Sequence, residues 1–329
     1  MDHSEALNQG ASGMETLTDL FAFVQAWLYE QAVQPTLFAL GGGNLLADAF
    51  DATGWLLVGL LQIGVLIAVV GPLQRWRPVE PVRDRATIRT DILYTLIHRL
   101  GLFRVALFFL IEPFLLELFG RLRVAGWSTL HLDGWWPGVS DLPWISLLLY
   151  LLALDLLNYG IHRAQHRWRW WWQLHSLHHA QRQMTMWSDN RNHLLDDLLR
   201  DLIVIVVAQL IGIAPGQYVA IVALTQLSEN LQHANLRLSF GRLGERLWIS
   251  PRFHRRHHSI VWDAAGMNYG VLLPWWDMLF GTADFSDRYD PTGVPDQIQG
   301  LRDYGQGFWA QQWLGFMRLL GRDGGQAGP

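Results

Sequence analysis

Long uncharged runs alternate along the chain with short polar blocks, and the runs predict its elements. Ala52 to Gln74 carries no charge between Asp51 and Arg75 and is rich in Leu, Val and Ile. As a helix it is long enough to cross the roughly 30 Å of hydrocarbon in a bilayer. Leu17 to Leu40 is a weaker run holding Asp19 and Glu30, and reads either as a span or as an amphipathic helix in the interface. Ile92 to Phe119, with His98, Arg99, Arg104 and Glu112 inside it, and Leu142 to Gly160, broken only by Asp155, are expected to cross as helices. Leu198 to Ile213 and Gln217 to Leu231 are shorter and divided at Ala214-Pro215-Gly216, which predicts a hairpin entering and leaving by one face. Near the end, Phe308, Trp309, Trp313, Phe316, Met317 and Leu320 recur at helical spacing, predicting an interfacial helix before a Gly-rich tail expected to fray. No cleavable leader pattern and no internal repeat is apparent.

Composition identifies the solvent these runs face. Of 329 residues, 50% are hydrophobic and 16% charged, against roughly 25% charged in soluble domains, so the polar surface cannot cover a water-soluble globule. The 18 Trp fit a membrane interface. All 25 basic residues are Arg and the net charge is -4, which excludes a nucleic-acid partner. Arg75, Arg77, Arg83, Arg85 and Arg89 follow the strongest run, and Arg163, Arg167, Arg169, Arg182 and Arg191 follow the one ending at Gly160. Arg237, Arg242, Arg246, Arg252, Arg255 and Arg256 follow the hairpin. The positive-inside rule places blocks 161–197 and 232–300 together on the cytoplasmic side, where they can build one site. The expected fold is an all-α, multi-pass membrane protein with a cytoplasmic-side helical metal domain. Its expected divisions are N-terminal membrane helices over 1–139, the metal domain over 140–284 with its membrane hairpin at 198–231, and an interfacial helix and tail over 285–329. Arg in place of Lys, with abundant Ala, Gly, Leu and Trp, fits a GC-rich bacterial genome and an inner-membrane location.

The polar blocks carry the chemistry. With no Cys there are no disulfides, thiolate metal sites or Cys nucleophiles, which leaves His, Asp and Glu. Ten of the 13 His fall between 162 and 258: His162 and His166 in HRAQH, His175, His178 and His179 in HSLHH, His254, His257 and His258 in HRRHH, with His193 and His233 standing alone. On a helix, positions i, i+3 and i+4 share a face, so each box can aim two or three imidazoles at one point. HRAQH alone reads better as a solvated interfacial pair beside a span than as a ligand pair. Three boxes separated by apolar sequence leave little room for that reading, and eight to ten imidazoles exceed what one ion holds, which implies two ions. His3, His98 and His131 lie outside the cluster and read as structural or exposed. Helical counting puts Asp155 on the face of Tyr159, His162 and His166, where it is expected to accept an imidazole N–H and fix its tautomer; the plainer reading is a cap or interfacial polar residue. Trp168, Trp170, Trp171 and Trp172 are expected to form an interfacial belt.

The order HRAQH, HSLHH, a lone His in RNH, a lone His in QHAN, then SPRFHRRHHS followed by NYGVLLPWWDMLFGT resembles the sterol desaturase and fatty acid hydroxylase superfamily over about residues 140 to 284. Pro251 to Thr282 is the most distinctive stretch. The resemblance implies a non-haem di-iron centre in a helical membrane enzyme that uses O2 and externally supplied electrons to hydroxylate or desaturate a lipid. It carries over His162, His166, His175, His178, His179, His254, His257 and His258 as iron ligands, with His193 and His233 as additional ones. Zinc can replace iron in purified protein. One departure is LLDD after His193, where members commonly have a Pro and then a Glu. No GxGxxG fingerprint, iron–sulfur Cys set or haem segment is present, so a separate reductase or small electron carrier is expected as partner. The expected reaction is hydroxylation of an unactivated C–H bond of a membrane lipid. Fatty acyl, sterol, carotenoid, ether-lipid and aminolipid substrates stay open, as do desaturation by the same centre and the oligomeric state. A metal transporter or storage protein is the alternative of another class, but transport sites sit near the bilayer midplane whereas these boxes flank the spans. A zinc hydrolase is disfavoured by the lack of HExxH and of an evident Glu base.

Overall fold

Helices account for the regular structure of residues 16, 18–261 and 266–322, which the computed structural model describes; one antiparallel bridge joins Ser259 and Thr292. His3 and the Gly-rich tail lie outside the described residues. Helical turns over 18–28, Tyr29–Val33 and Gln34–Ala39 form α1, which packs along α2 (Gly43–Trp76). Each of these helices widens by one residue per turn, at Tyr29–Val33 and at Leu66–Val70, just before Pro35 and Pro72. Proline has no N–H for the residue four back, and a wider turn accommodates the loss.

Among the described residues, two helices are long and apolar enough to cross a membrane: α2, with 34 residues, and α6 (Pro143–Arg167), with 25. The expected single crossing over 92–119 is instead broken twice. Gly101, at φ +79°, ends α3 (Arg85–Arg99) and turns the chain 49° into α4 (Leu102–Leu110); a second break at Ile111 precedes α5 (Glu112–Val124), which opens on Pro113. Only Gly takes the left-handed conformation freely, and Pro suits a first helical turn, so both breaks are local in origin. α3 and α4 together make a third span only as a bent pair.

After α6, extended Trp168 lets α7 (Arg169–His179) fold back on it. α8 (Leu194–Ile211) ends at Gly212 in the left-handed conformation and α9 (Pro215–His233) starts on its proline, and Arg200 near the start of α8 pairs with Glu229 near the end of α9 at 3.4 Å. Short α10 (Pro251–His257) packs on α9, followed by α11 (Trp275–Phe280) and α12 (Phe308–Leu319). Tyr150, Leu154 and Ile161 of α6, Trp171, Val204 and Ile221 form the main core. α12 buries Phe308, Gln311, Gly315 and Arg318 and leaves Trp309 and Trp313 outside. Leu61 and Ile67 of α2 and Leu110 of α4 are also exposed. These faces suit lipid, where burial between helices gains no hydrophobic free energy and close packing must serve instead.

Gly59 provides one such close approach. A Cβ there would lie 1.7 Å from the Arg99 carbonyl oxygen, which belongs to the backbone at the end of α3, whereas Gly64 on the same helix has open space. Gly59→Ala is expected to destabilise the detergent-solubilised protein by about 3 kcal/mol or more through overpacking against backbone. Gly64→Ala should leave its thermal midpoint unchanged; equal midpoints for the two variants would remove the contact from the fold's stability.

Candidate metal centre

Four helices and the chain just past one of them deliver nine imidazoles to one buried region. α6 contributes His162 and His166 from adjacent turns, the last turn of α7 contributes His175, His178 and His179, α9 ends on His233, and α10 supplies His254 and His257 with His258 following. They fall into two groups: His162, His166, His175, His179 and His257, and separately His178, His233, His254 and His258, with one ring nitrogen of each residue within 4.8 Å of those of every other member of its group. The groups abut, since the His179 and His258 rings stack with centroids 4.3 Å apart. α7 and α10 each feed both groups, because three imidazoles spread over an i, i+3, i+4 arc diverge enough to serve two centres.

Hydrogen bonds fix which nitrogen four of the rings present. His162 Nδ1 lies 2.9 Å from the Tyr269 carbonyl, His257 Nδ1 2.8 Å from that of Met267 and His233 Nδ1 2.7 Å from that of Glu229. A carbonyl only accepts, so each Nδ1 carries the proton and Nε2 keeps a free lone pair. His175 Nδ1 likewise donates to Asp196 Oδ2 at 2.9 Å. The Nε2 atoms of His166, His175, His179 and His257 are buried and have no hydrogen-bond partner. In the second group the Nε2 atoms of His178, His233, His254 and His258 face one another, with successive contacts of 3.1 Å. The Nδ1 atoms of His178, His254 and His258 are buried without a partner, and with the proton on those atoms all four Nε2 lone pairs converge on one point. A spacing near 3 Å is that of nitrogens sharing one ion at about 2.0–2.1 Å, so the donor sets fit two metal ions. Burial depresses the basicity of these rings, holding His178, His179, His254 and His258 well below the usual value and bringing His257 down to about 3. Desolvation thereby keeps them in the neutral form that ligates metal.

The sequence around the boxes explains why the rings stay put. Ser250 caps α10 by accepting from the Phe253 N–H, and Pro251 starts the helix. The two arginines inside HRRHH point away from the imidazoles: Arg255 pairs with Glu80 at 3.0 Å, and Arg256 is held by Asp284 and Asp290. Asp277 accepts from the Tyr269 and Gly270 N–H groups and from the Thr282 hydroxyl, and so fixes the loop whose Tyr269 carbonyl receives His162. A Cβ on Gly270 would meet Asp277, Ile249 and the Leu273 carbonyl within 3.0 Å, which accounts for the glycine. The Met267–Asp277 stretch therefore orients His257 and His162 through the Met267 and Tyr269 carbonyls.

Three expectations meet a different arrangement. His193 belongs to neither group: its Nδ1 accepts from Leu195 N–H at the start of α8, and its Nε2 lies 2.8 Å from the Gln312 carbonyl of α12. A ring engaged at both nitrogens as a helix cap has no lone pair left for an ion. Asp155 is buried at the expected level of α6 but accepts from the Leu272 and Leu273 N–H groups and Trp276 Nε1, not from an imidazole, so it anchors the chain leading into α11. The carboxylate that does receive an imidazole is Asp196, which also accepts from Gln165 Nε2 at 2.7 Å and Trp171 Nε1 at 2.6 Å. Its signal was the LLDD departure after His193, where two acids open a helix. The tryptophan belt is likewise divided: Trp168 and Trp170 are exposed, Trp171 is buried, and Trp172 packs against His166 and His179. His98 pairs with Asp197 at 3.3 Å, and His131 lies beside Gly212, both outside the two groups.

Comparison with known proteins places this geometry. Residues 147–282 match the fatty acid hydroxylase family. The chain is 28% identical over 258 residues to ornithine lipid hydroxylase OlsE of Rhizobium tropici, covering 77% of this chain and 73% of that protein. It is 26% identical over 162 residues to alkylglycerol monooxygenase of Caenorhabditis elegans, covering 48% of this chain and 31% of that protein, and 26% identical over 174 residues to fatty acid hydroxylase vlmA of Lecanicillium sp, covering 49% and 46%. The chain thus spans less than half the length of these last two relatives. No solved structure matches it. The matched segment contains all nine clustered imidazoles and the loop that orients them, so the likeness to the fatty acid hydroxylase family falls on the candidate metal centre itself.

Proposed function

We propose that the protein is an O2-dependent di-iron oxidoreductase that hydroxylates an unactivated C–H bond of a membrane lipid, with its site facing the cytoplasm of a bacterial inner membrane. The observation that carries this is the pair of abutting, all-imidazole groups with their unpaired nitrogens turned inward. His162, His166, His175, His179 and His257 would hold one ion, and His178, His233, His254 and His258 the other. All-nitrogen sets also suit zinc, a plausible substitute in purified protein. Bound iron would supply the activation of O2, with one oxygen atom entering the lipid C–H bond and the other leaving as water. Two electrons from a separate reductase or small carrier, and two protons, complete that balance. The chain's own part is to hold neutral imidazoles through the Tyr269, Met267 and Glu229 carbonyls and Asp196, and to exclude water from the buried site. The hydroxylase and monooxygenase names of the relatives support hydroxylation over desaturation.

Comparing lipid extracts from cells with and without the active gene tests this. A lipid that gains one oxygen atom supports hydroxylation, one that loses two hydrogens supports desaturation, and unchanged lipids with one zinc per chain would contradict both.

Acid should loosen the site. The folded-state values of His178, His179, His254, His257 and His258 lie below the ordinary value of about 6.5, so the unfolded chain binds more protons below that pH. Their contribution to stability is complete above about pH 6.5 and is lost as pH falls towards about 3. The metal-free protein is expected to show a level thermal midpoint from about pH 8 to 7 and a falling one below about 6, with metal released over the same acid range. A midpoint independent of pH would contradict buried neutral imidazoles.

A further inference from the structure

Holding the imidazoles accounts for the Met267–Asp277 stretch but not for the outer face of α11. Trp275, Met278, Leu279 and Phe280 are exposed there, Leu279 to 68%. Leu243 and Leu247 extend the patch, because Trp275 Nε1 donates to the Arg246 carbonyl at 2.9 Å. A contiguous apolar patch of this kind marks a surface covered by something other than water. Its level on α6 identifies the cover. Asp155 accepts from the Leu272 and Leu273 N–H groups and Trp276 Nε1, the Phe280 ring stacks on Tyr159 with centroids 5.4 Å apart, and the Tyr159 hydroxyl lies 3.0 Å from Thr282 Oγ1. Asp155 and Tyr159 belong to the last turns of the apolar run Leu142 to Gly160, which as a helix covers roughly the 30 Å of hydrocarbon. α11 is therefore fastened to a spanning helix at bilayer depth. Non-helical backbone at that depth has to be buried in protein and paired, and Val271, Leu272 and Leu273 are buried, with Asp155 taking two of their N–H groups. One turn beyond Tyr159, exposed Arg163 donates to its hydroxyl at 3.3 Å, and exposed Arg242 and Arg246 flank Leu243 and Leu247. Cations beside an apolar patch complement the anionic headgroups of a cytoplasmic leaflet.

We infer that α11 and the adjoining segment 241–247 form a foot embedded in the lipid leaflet on the histidine side, with Met278, Leu279 and Phe280 among the acyl chains and Arg163, Arg242 and Arg246 at the level of the headgroup phosphates. Part of block 232–300 then belongs to the leaflet and not to water. The foot also ties the loop whose Tyr269 carbonyl receives His162 to a segment gripped by lipid. This goes beyond the hydroxylase reading, and its test needs neither iron nor O2.

The chain has no Cys, so single cysteines can carry a spin label. Full-length protein in vesicles of phosphatidylglycerol and phosphatidylcholine is labelled at Leu279→Cys, at Leu61→Cys on the exposed face of α2, and at Asp287→Cys, whose side chain is 84% exposed. Collisions with O2, which concentrates in hydrocarbon, are compared with collisions with a nickel chelate, which stays in water. The label at 279 should match that at 61, with an O2-to-nickel ratio severalfold above that at 287, and Arg242→Cys should give a ratio between the two. A ratio at 279 equal to that at 287 would place α11 in water, and a label at 279 shielded from both agents would place a protein over it, a second copy of this chain included; either result overturns the inference. A second variant guards against a label that disturbs the site. Leu279→Asp should lower the thermal midpoint in vesicles while Leu279→Met leaves it unchanged, because a carboxylate among acyl chains is costly. An unaltered midpoint in Leu279→Asp would overturn the inference as well.

Discussion

His178→Ala is expected to lower lipid oxidation by at least about 100-fold, beyond the 10–100-fold typical of losing a partner outside the ligand set. His178 Nε2 lies 3.1 Å from His233 Nε2 in the group of four. Removing one of only four nitrogens leaves that ion with three, so metal content should fall towards one per chain, as the group of five is untouched. Membrane insertion should persist, because the spanning helices α2 and α6 satisfy their own backbone groups. His131→Ala, outside both groups, should retain most activity. Metal analysis alongside activity checks this, and equal activity in the two variants would show that the site has been misplaced.

Asp196→Asn is expected to cost roughly 10- to 100-fold in metal retention and activity. One buried carboxylate accepts from His175 Nδ1, Gln165 Nε2 and Trp171 Nε1. An amide offers a single acceptor oxygen and turns an N–H towards one of those donors, so at least one bond is lost and the His175 ring is freed to turn. Asp155→Asn supplies the contrast. Its carboxylate accepts from the Leu272 and Leu273 amides and Trp276, so the thermal midpoint should fall while metal content stays near wild type. Greater metal loss from Asp155→Asn than from Asp196→Asn would reverse the roles given to the two carboxylates.

The helices with strong local signals were legible in the sequence. Ala52 to Gln74 falls inside α2, and Leu142 to Gly160 runs from the N-cap of α6 into that helix, whose last turns continue through HRAQH. The run at 92–119 was not, because average hydropathy is blind to one Gly turned left-handed at 101 and to the break before Pro113. The i, i+3, i+4 spacing of the boxes was equally open to reading, but not the division of their rings into five and four. That division sends His178 one way and His175 and His179 the other, and depends on how α7 meets α6, α9 and α10 in three dimensions. Asp155 and Asp196 show the same limit. Helical counting put Asp155 on the correct face, yet its partners come from residues more than a hundred positions later, while Asp196 reaches His175 only because α8 packs against α7. His193 looked like a ligand by residue type; only the approach of α12 reveals where its second nitrogen is spent.

The most direct test of the central claim supplies isotopically heavy O2 to iron-loaded protein with its lipid and a chemical or enzymatic electron source. Two irons per chain and a lipid product carrying the heavy oxygen atom, with none incorporated from labelled water, is the result expected of a di-iron lipid hydroxylase. Oxygen drawn from water, or a product formed equally well without O2 or without iron, would contradict it.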